Sequence, residues 1–435
     1  MTASALRARP LRDAIGRIGS GLKGAYGDAF ASRRLAWASP AIAVVGAFVG
    51  FWLLGLLVTA GSIGTDLPRV LVAAGLGLTG LLVGVGYGFG RPTSKEPAPA
   101  ASIHLTRRVG VVLVITGLSA MALYFLAIGD LPLFRPSLEQ ARVDAAEEGG
   151  AALRVLSMLA IPGCWLLVAW SSFQRRLGWL AGAVLVSMIV AAAWVLTGNR
   201  APAFQVLEVG VVVGVLSAGF SRLRWWGVAA LMTVGLALVL AAGVFGAVRL
   251  ASQSTVYGPP DPNRGAPNYV RLTQTSIAAY LRVPVQNLRF TMVAVPERIG
   301  WRLGSTYLLP IATITPGKQR TFDAMIKDAL GQTYAGGGTV PGMLGEAYAN
   351  FGPAGWLLVP ILIGLATAAL YRRASSARSP AWWALYGYAI IHITGANLSG
   401  LSIASIFPWE AYAVLSLPII LPWIQARLRR VPAGR

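Results

Sequence analysis

The chain has 435 residues, of which 55% are hydrophobic and only 12% are charged. Apolar runs of about twenty residues recur along it, which excludes a soluble globular protein and predicts an all-α polytopic membrane protein. The net charge of +21 does not indicate a nucleic-acid-binding protein, because the basic residues form short clusters between the apolar runs. The only cysteine, Cys164, excludes an intrachain disulfide and a thiol-based metal site.

In chain order, the apolar runs predict ten transmembrane helices. Their approximate bounds are residues 39–60, 68–90, 109–129, 152–172, 177–197, 203–220, 225–249, 353–371, 381–398 and 402–424. The predicted organisation is therefore a basic N-terminal segment over 1–38, seven spans over 39–249, a long loop over 250–352, three spans over 353–424 and a tail over 425–435.

The distribution of charge predicts how this bundle is oriented. If the N-terminus is cytoplasmic, the inside segments hold most of the lysines and arginines but only Asp13, Asp28 and Glu96 of the acidic residues. This asymmetry is what the positive-inside rule describes. We therefore expect both termini in the cytoplasm and the long loop outside.

Short interfacial or re-entrant helices are predicted in the long loop at 270–282 and 285–295. The loop is rich in basic residues, which the positive-inside rule does not explain on the outer side. Because arginine forks suit phosphate oxygens, these residues indicate a phosphate-bearing ligand, although they could also pair with nearby acids or simply be solvated. The basic residues of the loop are Arg264, Arg271, Arg282, Arg289, Arg298, Arg302, Lys318, Arg320 and Lys327.

Two shorter outer segments add candidate phosphate contacts. The segment GDLPLF at 129–134 leads to Arg142, and the segment TGNR ends with Arg200 at the outer end of the fifth predicted span. An arginine at a helix end can reach over the membrane surface to a lipid phosphate. The alternative for Arg200 is that it only extends its side chain to the interface.

Ionisable residues inside predicted spans are few. Glu208, His392 and Glu410 lie in the outer parts of the sixth, ninth and tenth spans. Such groups usually face a cavity or a polar partner, and His392 could instead be hydrogen-bonded between helices. A fourth candidate, Glu346, is expected in a glycine-rich loop just before the eighth span, at the same face of the membrane.

The segment around Glu346 resembles a family signature. GGGTVPGMLGEAYANFGPAG at 336–355, followed by a span, is similar to the C-terminal signature of Wzy-type oligosaccharide repeat-unit polymerases, which assemble bacterial O-antigen and exopolysaccharide. GDLPLF with Arg142 and TGNR with Arg200 resemble weaker features of that family. Ten spans, cytoplasmic ends and one large external loop also fit, although the clear match covers a small part of the chain.

The resemblance implies a GT-C-like glycosyltransferase in the bacterial cytoplasmic membrane. Its substrates would be undecaprenyl-pyrophosphate-linked oligosaccharides, used at the outer face as donor and acceptor without a cofactor, a nucleotide sugar or a metal ion. Membrane lipids, and a chain-length regulator and a flippase of the same pathway, are the implied partners, and nucleic acid is not. The alternatives are an O-antigen-ligase-like transferase and a transporter or flippase for lipid-linked glycans.

The resemblance also assigns expected roles to residues. Glu346 is expected to act as the base that takes a proton from the acceptor hydroxyl, with His392 as the competing assignment. Arg200, Arg282 and Arg289, with Arg142 behind them, are expected to bind the pyrophosphate. Tyr348 and Asn350 are expected to shape the loop or to contact sugar.

Overall fold

The structure is a computed structural model that describes residues 13, 16–22, 39–90, 103–129, 131–134, 151–218, 243–244, 268–312, 320–333, 338–377, 379–402 and 408–428. The regular secondary structure of these residues is helical throughout. The main helices are α1 Pro40–Ile63, α2 Leu67–Gly90, α3 Ile103–Ile128, α4 Ala151–Ser157, α5 Ala160–Gln174, α6 Leu177–Leu196, α7 Arg200–Ala218, α8 Tyr269–Ala294, α9 Phe322–Ala329, α10 Gly342–Phe351, α11 Gly355–Ala377, α12 Pro380–Ser399 and α13 Pro408–Leu428.

Among the described residues, seven stretches are long and apolar enough to cross a membrane. They are Pro40–Thr59, Gly61–Gly90, Ile103–Ile128, Ala152–Gln174, Leu177–Leu196, Ala201–Ala218 and Gly342–Ala377. They correspond to the first six predicted spans and the eighth, so the chain is an all-α polytopic membrane protein. The seventh predicted span, apart from residues 243–244, lies outside the described residues.

The last two predicted spans are helices whose crossing of the membrane stays a prediction. The ninth corresponds to α12, which carries several polar side chains, and the tenth to α13, whose apolar part is Trp409–Ile424. The described part of the α13 helix begins at Pro408, and residues 403–407 of the predicted span lie outside the described residues. Residues 401–402 instead form a turn after α12.

The prediction that Glu346 lies in a loop is wrong. Glu346 is in the middle of α10, which begins at Gly342 and continues into α11 after a single 3₁₀ turn at Gly352–Ala354. The glycine content suggested a turn, but Gly345 serves helix packing: a Cβ there would lie 2.9 Å from Thr291 Oγ1 of α8. The apolar stretch therefore starts at Gly342 rather than at 353.

The two short helices predicted at 270–282 and 285–295 are one 26-residue helix, α8, with Pro284 inside it. Its start is capped by Asn268, whose side-chain oxygen accepts a hydrogen bond from Arg271 N at 3.0 Å. The α8 helix packs on α1 at Gly55, where a Cβ would lie 3.0 Å from the Leu281 carbonyl oxygen. The α8 helix is thus continuous through the proline and lies against α1 on that side.

Glycines bring the other main helix pairs together. A Cβ at Gly84 of α2 would lie 2.2 Å from the Ile361 carbonyl oxygen of α11, and one at Gly117 of α3 would lie 2.3 Å from Ala160 N of α5. Close approach of backbones at small residues is typical of membrane helices. One hydrophobic core lies among α3, α5, α6, α7, α12 and α13, a second among α1, α2, α8, α10, α11 and α12, and α12 joins them.

The helices alternate in direction and so give the bundle two ends. The Glu346 end is where α1, α3, α6 and α12 finish, beside residues 400–402. The Arg372 end is where α2, α5, α7 and α11 finish, and there the Arg372 side chain donates a hydrogen bond to the Gly88 carbonyl oxygen. The charge distribution predicts that the Glu346 end faces outside.

Candidate functional site at the Glu346 end

The Glu346 carboxylate is fully buried, with 0% of the residue exposed. Four donors surround it: Leu401 N at 2.5 Å and Ser402 N at 3.1 Å donate to Oε2, while Thr306 Oγ1 at 3.0 Å and Ser402 Oγ donate to Oε1. These donors fill the capacity of an ionised carboxylate to accept hydrogen bonds. Glu346 therefore fixes the turn at 400–402 in place.

This turn requires a glycine at its first position. Gly400 has a φ of 103°, which side chains with a Cβ rarely adopt. A Cβ at Gly400 would also lie 2.9 Å from Glu346 Oε2. Only a glycine at position 400 therefore leaves room for the Glu346 carboxylate beside the turn.

His392 holds the same turn from the other side. Its Nε2 lies 3.0 Å from the Leu401 carbonyl oxygen, and its Nδ1 lies 3.0 Å from the Tyr412 hydroxyl. Because a carbonyl only accepts, these partners assign the proton to Nε2, and Nδ1 accepts from Tyr412. The Leu401 backbone is therefore held between Glu346 and His392, which the structure brings to one turn.

Asn350 fixes a second loop, formed by residues 302–307. Its Nδ2 donates to Thr306 Oγ1 at 2.6 Å and to the Glu346 carbonyl oxygen at 2.8 Å, while its Oδ1 accepts from Gly304 N at 2.8 Å. From α13, Trp409 Nε1 donates to the Tyr307 carbonyl oxygen at 2.8 Å. Asn350 thus shapes the loop, one of its two expected roles.

Tyr348 lies on the outer face of α10 between two tryptophans. Its ring stacks on Trp356 with centroids 5.3 Å apart and meets the edge of Trp301 at the same distance. Through these rings, Trp301, which directly precedes the loop at 302–307, is connected to Trp356 at the start of α11. These contacts give Tyr348 a packing role at the Glu346 end.

The four candidate phosphate-binding arginines have different surroundings. Arg289 is paired: its Nε donates to Asp66 Oδ2 at 2.8 Å and its Nη1 to the Ser62 carbonyl oxygen at 3.2 Å. Arg282 is exposed on α8 and has no polar partner among the described residues. Arg200 starts α7, which places its backbone at the Glu346 end, whereas Arg142 lies outside the described residues.

Two further carboxylates lie near this end. Glu410 is in the first turn of α13, and both of its oxygens are buried with no hydrogen-bond partner in the described part of the chain. It lines a cavity of about 100 Å³ whose other walls, including Leu156, Ile161 and Trp165, are apolar. Glu208 is half-buried in α7, two turns from the start of that helix.

The sequence did not point to Thr306, Ser402 or Tyr412. Each is far along the chain from the group it binds, so its partner cannot be inferred from spacing. The one available signal for the turn was the short gap between the apolar runs at 381–398 and 402–424. Within the described residues, no group of three or more His, Cys, Asp or Glu side chains could hold a metal ion.

The chain matches no protein-family model, no curated protein and no solved structure. The activity of the protein is therefore a proposal. It rests on the resemblance of residues 336–355 and on the geometry of the Glu346 end.

Proposed function

We propose that this protein polymerises undecaprenyl-pyrophosphate-linked oligosaccharide repeat units by glycosyl transfer at the outer face of the bacterial cytoplasmic membrane. One observation supports this most: the signature segment folds into α10, whose Glu346 and Asn350 fix the loops at 302–307 and 400–402 together. Together, Glu346, Asn350 and the segments 302–307 and 400–402 form a polar platform at one end of the helix bundle. Catalysis of glycosyl transfer between two lipid-linked substrates needs such preorganised groups beside lipid.

The geometry favours positioning roles for Glu346 and His392. A general base needs a free lone pair within reach of the acceptor hydroxyl. The two carboxylate oxygens of Glu346 accept hydrogen bonds from four donors. Both ring nitrogens of His392 are hydrogen-bonded, to the Leu401 carbonyl oxygen and to the Tyr412 hydroxyl. Both residues hold the turn that leads toward α13.

Glu410 is the carboxylate that this geometry favours as the base. Its oxygens have no hydrogen-bond partner among the described residues. Its neighbours Trp409 and Tyr412 are hydrogen-bonded to the Tyr307 carbonyl oxygen and to His392 Nδ1, respectively. In the transfer, the acceptor hydroxyl oxygen bonds to the anomeric carbon, its proton passes to Glu410, and the undecaprenyl pyrophosphate leaves with the electron pair of the broken bond.

The test of this function uses the full chain, purified and reconstituted with undecaprenyl-pyrophosphate-linked oligosaccharide in liposomes. We expect products that increase by whole repeat units and remain on the lipid carrier, measured by mass spectrometry. Transfer of the glycan to a separate acceptor such as lipid A would indicate a ligase. Movement of the unextended substrate across the membrane without new glycosidic bonds would indicate a flippase and would exclude the proposal.

Arg282 is exposed and unpaired among the described residues, and it lies about 10 Å along α8 from Arg289, at the level of Gly55 in α1. We expect its long side chain to extend toward the Glu346 end and to contribute to pyrophosphate binding there. The Arg282→Gln change should reduce the rate of polymerisation at least tenfold, because a hydrogen bond to a charged group contributes roughly 1.5–3 kcal/mol. The matched control is Arg271→Gln, an exposed arginine earlier in the same helix. Equal rates in the two variants would remove Arg282 from the site.

A further inference from the structure

A cavity of about 680 Å³ lies between α5, α6 and α7 and extends to the Arg372 end of the bundle. None of the residues that bond to Glu346, His392 or Asn350 line it, and it has no part in the transfer reaction proposed above. Aliphatic side chains form most of its walls, among them Val168, Leu180, Val184, Val206, Val211 and Val215. A cavity with such walls binds hydrocarbon rather than a sugar or another polar ligand.

Two of the three serines in the wall have their hydroxyl groups bonded within their own helices. The Ser171 hydroxyl donates to the Val168 carbonyl oxygen at 3.1 Å, and the Ser187 hydroxyl donates to the Ala183 carbonyl oxygen at 2.8 Å. Both hydroxyl protons are therefore used within their own helices. The Ser171 and Ser187 hydroxyl groups need no polar ligand, and Ser172 is the one further serine beside the aliphatic walls.

The length of the cavity corresponds to one leaflet of a bilayer. It follows α7 from Val206 to Ala218, which is about 18 Å at the helical rise of 1.5 Å per residue. The hydrocarbon core of a membrane is about 30 Å thick, so one leaflet contributes about half of that. A single acyl chain that enters from the Arg372 end would therefore fill the cavity over its length.

Two arginines lie where this cavity reaches the end of the bundle. Arg175 and Arg176 are exposed in the connection between α5 and α6, and both line the cavity. Arg175 is held in a left-handed conformation with a φ of 54°, and its Nη2 has only a long contact of 3.5 Å to the Ala218 carbonyl oxygen. Both guanidinium groups therefore have donors left for an anion.

Neighbouring aromatic residues indicate that the arginines lie at headgroup level. Arg107 is placed over the rings of Trp170 and Trp179, 5.2 Å and 5.1 Å from their centroids. Tryptophan is enriched at the boundary between lipid and water, and arginine beside it adds a cation at the same level. A phosphate bound by Arg175 and Arg176 would be at the depth of a phospholipid headgroup.

We propose that this cavity is a binding site for an anionic phospholipid, with one acyl chain between α5, α6 and α7 and its phosphate on Arg175 and Arg176. The apolar walls, the length of one leaflet and the two cations at one end together match this single class of ligand. Basic pockets between membrane helices are known to bind anionic headgroups. The lipid would stabilise the contact of α6 with α5 and α7.

The first test compares phosphatidylglycerol with phosphatidylcholine of the same acyl chains, each titrated into the full chain in neutral detergent and measured by native mass spectrometry. We expect tighter binding of phosphatidylglycerol. The double change Arg175→Gln and Arg176→Gln should weaken its binding about 30-fold, because each basic residue at a membrane surface contributes about 1 kcal/mol. The control is Arg373→Gln, an exposed arginine at the same end but outside the cavity.

A second variant tests the cavity rather than the charges. In the described part of the chain, no atom lies within 4 Å of a Cβ built at Gly210, which lines the cavity. Gly210→Leu therefore places its side chain where the acyl chain is expected. This change should reduce the binding of both lipids, whereas Gly182→Leu, on the exposed face of α6, should not. Unchanged binding in the Gly210 variant or in the double arginine variant would overturn the proposal. So would equal affinity for the two lipids in the unchanged protein.

Discussion

Replacing Glu346 with alanine is expected to destabilise the Glu346 end of the bundle and to abolish activity with it. The change leaves Leu401 N and Ser402 N buried without their acceptor. An unsatisfied buried donor costs about 1–3 kcal/mol, so the two N–H groups together give a loss on the order of 2–6 kcal/mol. Thermal unfolding of the detergent-solubilised protein, with membrane abundance as a second readout, measures this loss.

Glu346→Gln separates the positioning role from the role of a base. The glutamine carbonyl oxygen can accept from the two backbone N–H groups, and its NH₂ can donate to the hydroxyls of Thr306 and Ser402, which also accept. The turn at 400–402 should therefore keep its shape, with a loss of about 1 kcal/mol for the charge-assisted part of the hydrogen bonds. We expect a folded protein that retains most of its polymerisation rate.

The exposed Glu297, just after α8, provides a matched control. Glu297→Gln also removes one acidic charge, but it changes no hydrogen bond of the platform. It should change neither the unfolding temperature nor the rate. A well-folded Glu346→Gln protein with a rate reduced a hundredfold or more would instead return Glu346 to the role of base. A stable, active Glu346→Ala protein would exclude both roles.

Most of the membrane-spanning architecture could be predicted from the sequence, because hydropathy is a local property. The first six spans depend only on runs of apolar residues long enough for a bilayer, and the structure has helices at those places. The glycines of GVGYGFG at 84–90 close the second of these spans, and small residues in a membrane helix favour close packing on a neighbour. In the structure, Gly84 and Gly88 approach α11 closely at Ile361 and Ala368.

The candidate site was less predictable, because its geometry depends on contacts between distant segments. Glu346 and His392 could be found as polar residues in apolar surroundings, but their partners Leu401 and Tyr412 could not. The glycines before Glu346 suggested a loop, since glycine in isolation disfavours a helix. In the folded protein, Gly345 packs closely against α8, and this tertiary contact outweighs the preference.

Glu410→Gln is expected to produce the opposite pattern to Glu346→Ala, with a large loss of activity and no loss of stability. A buried carboxylate without a partner destabilises a folded protein, so its neutral analogue should unfold at the same temperature or a higher one. If Glu410 is the base, the rate should fall by roughly a hundredfold or more, since positioned acid–base groups contribute 10²–10⁴. Repeat-unit addition in liposomes and thermal unfolding should be measured on the same preparation.

The combination of the two readouts makes this prediction specific. A structural role for Glu410 would lower the unfolding temperature and the rate together, as expected for Glu346→Ala, whereas an unused carboxylate would leave the rate unchanged. Glu410→Asp adds a further comparison, because it keeps the charge but withdraws it by one methylene group from the expected position of the acceptor hydroxyl. Partial activity in Glu410→Asp with none in Glu410→Gln would show that the proton-accepting group itself is required. Normal activity in Glu410→Gln would exclude Glu410 as the base and leave the platform residues as the next candidates.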